Sequence, residues 1–126
     1  MDAEKRALMD RFSPAFNSND VTGAQTCATD DFVWIFYEGS DSPHARIIKG
    51  VAAGCQAVVE RAERSSVPIR FTEPEDYQVG DKVFVTYRAS GEFKDSGPFD
   101  VRAVDIYTFR DGLLASKDTY WKKIFG

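Results

Sequence analysis

Chemistry in this chain would be organised around Asp105. It lies in the stretch Phe99–Arg110, whose alternation puts Val101, Ala103, Asp105, Tyr107 and Phe109 on one face of a strand. Arg102, Val104, Ile106 and Thr108 take the other face. A carboxylate on an otherwise apolar face is headed for the interior, where a charge must be paired or hydrogen-bonded. Two uses follow. Asp105 can exchange a proton with a molecule within hydrogen-bond reach, or it can serve as the structural partner of a buried cation.

Other chemistry-bearing residues are sparse. His44, the single histidine, follows Ser42-Pro43 and reads as an exposed loop residue. With no nucleophile motif beside it, a Ser or Cys triad is excluded. Cys27 and Cys55 have neither metal-site nor redox-motif spacing and read as reduced thiols. Glu38 and Asp41 read as a solvated acidic loop, so neither a metal nor a cofactor is expected.

The elements that must position Asp105 follow from periodicity and punctuation. Residues 3–18 predict a helix with Leu8, Phe12, Ala15 and Phe16 on one stripe; Pro14 should kink it or open a new turn after Ser13. Asn19-Asp20 then breaks the chain and caps a short helix from Val21 to about Ala28. Phe32–Tyr37 predicts a strand, Glu38–Pro43 a loop and Ala45–Ile48 a short return strand. Gly50 opens a third helix carrying Val51, Cys55, Val58, Val59 and Ala62 on its apolar side, stopped by Ser65-Ser66 and Pro68. Four strands complete the chain: Ile69–Val79, interrupted near Pro74, then Lys82–Phe93, Phe99–Arg110 and Leu113–Lys122. The last two are joined by Asp111-Gly112, a strong hairpin signal because both turn positions favour positive φ. Helices followed by hairpin-linked strands predict an α+β domain over residues 1–126, with a curved antiparallel sheet enclosing a pocket.

Bulk properties remove several function classes. A length of 126 residues suits one domain with a real core. A formal net charge of −4 and the absence of a basic run beyond Lys122-Lys123 argue against nucleic acid. No apolar run approaches the roughly 18 residues of a membrane span, and MDAEKR lacks a signal peptide's apolar segment; a cytoplasmic protein is expected.

Several segments carry a resemblance to a known family. They are Ala15-Phe16-Asn17 through Thr29-Asp30-Asp31-Phe32-Val33-Trp34, Lys49-Gly50, and Val104-Asp105 through Phe109-Arg110-Asp111-Gly112 into Tyr120-Trp121. With the element order, they resemble the nuclear-transport-factor-two-like superfamily, in its polyketide-cyclase-like and ketosteroid-isomerase-like branch. The resemblance implies a conical α+β barrel, a strongly curved sheet wrapped around three helices from the N-terminal half, with an apolar ligand cavity. It also implies which faces line that cavity: Trp34 and Phe36; Phe84, Thr86, Arg88 and Ser90; Val101, Ala103, Asp105 and Tyr107; and Lys117, Thr119 and Trp121.

The same resemblance limits the chemistry. Ketosteroid isomerases use an Asp base and an oxyanion hole of Tyr and protonated Asp. Asp105 stands at the protonated Asp, but the base falls on Phe36 and the oxyanion Tyr on Phe12, which removes that mechanism. The Arg of limonene epoxide hydrolases matches Arg88, whereas their two Asp positions fall on Ser90 and Thr119. Polyketide cyclases of this fold use a cavity Asp, for which Asp105 qualifies.

The expected site is therefore Asp105 as acid/base, with Arg88 and Lys117 as cations that stabilise charge. Phe12, Phe16, Trp34, Phe36, Phe84, Ser90, Tyr107, Thr119 and Trp121 would contact a small amphipathic molecule with an anionic end. A non-catalytic ligand-binding or dimerisation module is the alternative. Tyr87, Ala89, Val104, Ile106, Leu114 and Tyr120 are expected on the outer face of the sheet, where apolar surface would be covered by a second copy of the chain.

Overall fold

The computed structural model describes residues 2–37 and 46–123. The expected loop with Glu38, Asp41 and His44 lies outside the described residues. Three helices, α1 (Ala3–Asn17), α2 (Val21–Gln25) and α3 (Val51–Arg64), accompany six strands. The strands are β1 (Ala28–Tyr37), β2 (Arg46–Lys49), β3 (Ser65–Val79), β4 (Lys82–Phe93), β5 (Gly97–Arg110) and β6 (Leu113–Lys123). They form one curved, unclosed sheet in the order β2-β1-β6-β5-β4-β3. This is the expected α+β architecture. The pairing of β1 with β6 is parallel, a departure from the expected antiparallel sheet; the other four pairings are antiparallel. β2 and α3 intervene between β1 and the later strands, and β1 enters the sheet beside β6 in the same direction.

Local chemistry explains the helix ends. Asp2 accepts from the Lys5 backbone N–H and caps α1, while Asp20 accepts from the Gly23 N–H and caps α2. Pro14 stays inside a continuous α1, so no new turn opens after Ser13. The helix has only one further turn after Pro14, and the apolar stripe of Leu8, Met9, Phe12 and Phe16 holds it against the sheet.

The β5–β6 turn is as its residues demand, with φ of 52° at Asp111 and 78° at Gly112. Near that turn Thr108 pairs with Ser116 but Phe109 pairs with Leu114, so β6 carries an extra residue. This bulge reverses which side Leu114 faces. Leu114 is consequently fully buried, not on the outer face as expected.

The core lies between the concave face and the helices. Phe12 stacks on Phe16 at 4.9 Å, and both meet Phe32 and, through Phe16, Trp34. α3 crosses this cluster closely at Gly54, where an added Cβ would stand 2.6 Å from two Phe16 ring carbons. Gly54→Ala is therefore expected to lower stability by about 1–3 kcal/mol through overpacking, despite alanine's better helix propensity. Urea unfolding midpoints would check it; an unchanged or raised midpoint would refute the close approach.

Candidate functional site

The concave face of the sheet is set by register. One row of neighbours runs Phe36, Thr119, Asp105 and Val85 across β1, β6, β5 and β4; the next runs Trp34, Lys117, Tyr107 and Val83. Cross-strand neighbours on one face meet side by side. Asp105 is thus brought against Thr119 and beside Tyr107 and Lys117, while Tyr87 reaches it from the adjoining row.

Asp105 is 6% exposed and carries four polar contacts. Its Oδ1 accepts from Thr119 Oγ1 at 2.8 Å and from Tyr87 Oη at 3.0 Å. Oδ2 is held more loosely, accepting from Tyr107 Oη at 3.5 Å with Lys117 Nζ at 4.0 Å. Trp34 Nε1 donates to Thr119 Oγ1 at 2.9 Å, which orients that hydroxyl toward the carboxylate. One carboxylate oxygen is anchored and the other is under-coordinated.

These groups line a cleft of about 210 Å³ with Asn17, Arg61, Phe71, Thr72, Pro74 and Val85. Lys117 is 8% exposed, its ammonium 4.5 Å from the centre of the Trp34 ring, 5.1 Å from Phe16 and 5.7 Å from Tyr107. Arg61, on α3, lies over Trp34, Phe71 and Trp121 at 5.7–5.9 Å. Burial pushes the Lys117 ammonium below its usual pKa; Asp105 opposes that shift and Arg61 adds to it. Burial, with the Asp105 charge, raises the phenols of Tyr87 and Tyr107 well above theirs. Both tyrosines therefore stay protonated as donors.

Of the expected lining of β1, β5 and β6, Trp34, Asp105, Tyr107, Lys117 and Thr119 border the cleft, while Phe36, Val101, Ala103 and Trp121 are not among the described residues that line it; β4 is turned over. Phe93 pairs with Gly97, and that register puts Val85 opposite Asp105. Val83, Val85, Tyr87 and Ala89 face inward; Phe84, Thr86, Arg88 and Ser90 face outward. Arg88 is not in the cleft: its Nε donates to Asp100 Oδ1 at 2.8 Å and its Nη2 also pairs with Asp100, on the outer side. Phe84 and Ser90 go with it. Tyr87 and Ala89, expected outside, are inside. Val104, Ile106 and Tyr120 do lie on the outer face.

Four expected contact residues sit behind the cleft. Phe12 and Phe16 are 1% exposed and belong to the core, with Phe16 forming the floor beneath Lys117. Phe36 and Trp121 pack edge-on at 5.2 Å, and Trp121 stacks on Phe99.

Arg61, Tyr87, Asn17 and Phe71 are site residues that sequence reasoning missed. Two signals were present. Arg61 follows Val58 by three positions and precedes Ala62, so it flanks the apolar stripe of α3. Val83, Val85, Tyr87 and Ala89 form the more apolar alternation of β4.

An α+β sheet folded over helices around a polar cluster defines the NTF2-like class of proteins. Within it, the SnoaL-like domain family matches residues 9–117, and this chain belongs to that family. Among solved structures, an NTF2-like protein from Burkholderia xenovorans is 26% identical, with a TM-score of 0.77 over 97% of this chain and 92% of its own. A candidate polyketide cyclase from Sinorhizobium meliloti is 24% identical, with a TM-score of 0.63 over 90% and 94%. A protein of ketosteroid isomerase-like fold from Catenulispora acidiphila, solved in complex with trimethylamine, is 15% identical, with a TM-score of 0.67 over 91% and 85%. No curated protein matches the chain.

Two outcomes follow from the cluster. Thr119→Val leaves the Trp34 N–H without its acceptor and removes one of the donors to Asp105, and should cost about 1–3 kcal/mol in chemical denaturation. The folded state also holds the Tyr87 and Tyr107 protons above the ordinary pKa of 10.0. Their stabilisation is therefore intact below pH 10.0 and is lost as pH rises past it. Tyr87→Phe should flatten that loss between about pH 9 and about pH 11, read from unfolding midpoints.

Proposed function

We propose that the cleft binds a small amphipathic molecule with an apolar or aromatic body and an anionic or enolisable end. Asp105 is its acid/base. The single observation that carries this reading is the asymmetry of the Asp105 carboxylate. Its Oδ1 is fixed by two short hydrogen bonds, whereas Oδ2 has contacts only at 3.5 and 4.0 Å. An anchored carboxylate with one under-coordinated oxygen at a cleft wall is oriented to take a proton from a substrate C–H or O–H. Lys117 and Arg61 supply positive charge where an enolate would form, with Arg61 in the place first given to Arg88. Trp34, Tyr107 and Phe71 offer apolar surface to the body of the molecule.

This chemistry is of the cyclase or isomerase kind and draws only on side chains of the chain. It agrees with membership of the SnoaL-like family and with fold neighbours described as a candidate polyketide cyclase and as ketosteroid isomerase-like. A non-catalytic binding module is the second reading, favoured by the number of donors already engaged by Asp105. The expected homodimer enters as a proposal on narrower grounds. Tyr120, 40% exposed and stacked on Tyr37 at 4.4 Å, and Val104 and Ile106 form the apolar patch a second copy would cover.

The test is a panel of aromatic acids, β-diketones and polyketide mimics followed by tryptophan fluorescence and turnover. Asp105→Asn should retain binding within about threefold and lose turnover by about a hundredfold or more. Arg88→Ala should leave both unchanged, because its guanidinium is on the other face. A parent protein that binds members of the panel but turns none over supports the non-catalytic module. Sedimentation of a monomer at micromolar concentration would refute the dimer.

A further inference from the structure

Lys117 presents chemistry that the acid/base reading leaves unused. It is the only lysine among the described residues that line the cleft, which also include Asp105, Tyr107, Tyr87 and Arg61. Among the described residues its nearest carboxylate is Asp105, at 4.0 Å, and its Nζ lies over the rings of Trp34, Phe16 and Tyr107. A salt-bridged structural lysine is held by short hydrogen bonds to a carboxylate. This amine is held instead by ring faces and a more distant charge at the cleft wall.

We propose that Lys117 is a nucleophilic amine that forms a reversible imine with a carbonyl compound bound in the cleft. This rests on the reading of the cleft as a small-molecule site and names the substrate class as aldehydes or ketones with an aromatic or anionic end. The neutral amine's lone pair forms the N–C bond, and the carbonyl π pair moves to oxygen, which takes a proton. The resulting carbinolamine loses its oxygen as water, and the N–H proton leaves as the C=N bond forms. Overall, amine and carbonyl give imine and water, with no oxidant or reductant.

Two features of the site suit this step. The protonated imine carries its positive charge where the ammonium did, so the ring faces of Trp34, Phe16 and Tyr107 and the Asp105 carboxylate stabilise it as they do the ammonium. Asp105 Oδ2, 4.0 Å from Nζ, is placed to relay the carbinolamine protons. Arg61 lines the same cleft and would meet an anionic end on the carbonyl compound. The charged groups that act on Lys117 are Asp105 on β5 and Arg61 on α3; the phenols of Tyr107 on β5 and Tyr87 on β4 line the same cleft. Burial lowers the amine's pKa, which raises the neutral fraction near neutrality.

The experiment treats the full chain with para-hydroxybenzaldehyde and sodium cyanoborohydride across neutral to alkaline pH. Cyanoborohydride donates hydride to the iminium and fixes it as a secondary amine, located by peptide mass mapping. The expected result is labelling of Lys117 at least about tenfold faster than the exposed Lys94 and Lys122. Its pH midpoint should fall below the ordinary lysine value of 10.5. Labelling of Lys117 no faster than that of the surface lysines, or with an ordinary midpoint, overturns the proposal. Lys117→Met should abolish the selective adduct; should that variant fail to fold, the parent's pH profile decides alone. Binding of para-hydroxybenzoate, which forms no imine, is measured beside it. Its binding without selective labelling refutes the imine and spares the cleft reading, whereas absence of both refutes the two together.

Discussion

The ionised or ionisable cluster around Asp105 is the constraint on which the rest of the molecule depends. A carboxylate that is 6% exposed costs several kcal/mol in desolvation unless donors replace water, and a lysine buried beside it carries the same requirement. Thr119, Tyr87 and Tyr107 supply hydroxyls, and Lys117 supplies the opposite charge at a distance. Every one of these groups sits on a different strand from its partner or two residues along the same one. The cluster therefore exists only when β4, β5 and β6 are paired in one register. A slip of one residue would turn Asp105 to solvent and the cluster would dissolve.

The helices answer a related requirement. α1 and α3 close the concave face with Phe12, Phe16, Val51, Cys55 and Val58, which excludes water from the floor beneath Lys117. α3 also delivers Arg61 into the same space. Because Gly54 lets α3 approach Phe16 closely, the position of the arginine is tied to the packing of the aromatic core. Core and site share residues: Trp34 is a core aromatic, the donor that orients Thr119 and the ring beneath Lys117. Substitutions there will not separate stability from function cleanly.

The misplacement of β4 shows where analogy and local pattern part. The inward set inferred from related folds was Phe84, Thr86, Arg88 and Ser90; the inward set observed is Val83, Val85, Tyr87 and Ala89. The observed set is the more apolar, so plain alternation would have identified it, whereas a residue-by-residue carry-over between distant relatives shifted by one. Since side chains alternate with a period of two, a shift of one residue exchanges the faces completely. That single change removed Arg88 from the site and brought Tyr87 in. Charge composition survived the error because Arg61 entered from a helix.

What the amino-acid order determined by itself was local. The α2 cap at Asp20, the Asp111-Gly112 turn, the end of α3 at Arg64, the α+β class and the inward face of β5 all follow from interactions within a few residues. So does the identity of Asp105 as a carboxylate bound for the interior. Only the tertiary structure decided which groups meet it. The parallel contact of β1 with β6, the bulge that buries Leu114, the pairing of Arg88 with Asp100 and the entry of Arg61 depend on residues far apart in sequence. Alternation and helical period say which way a side chain points from its own element. They carry no information about which neighbouring element stands opposite, and that is where the chemistry of a buried charge is settled.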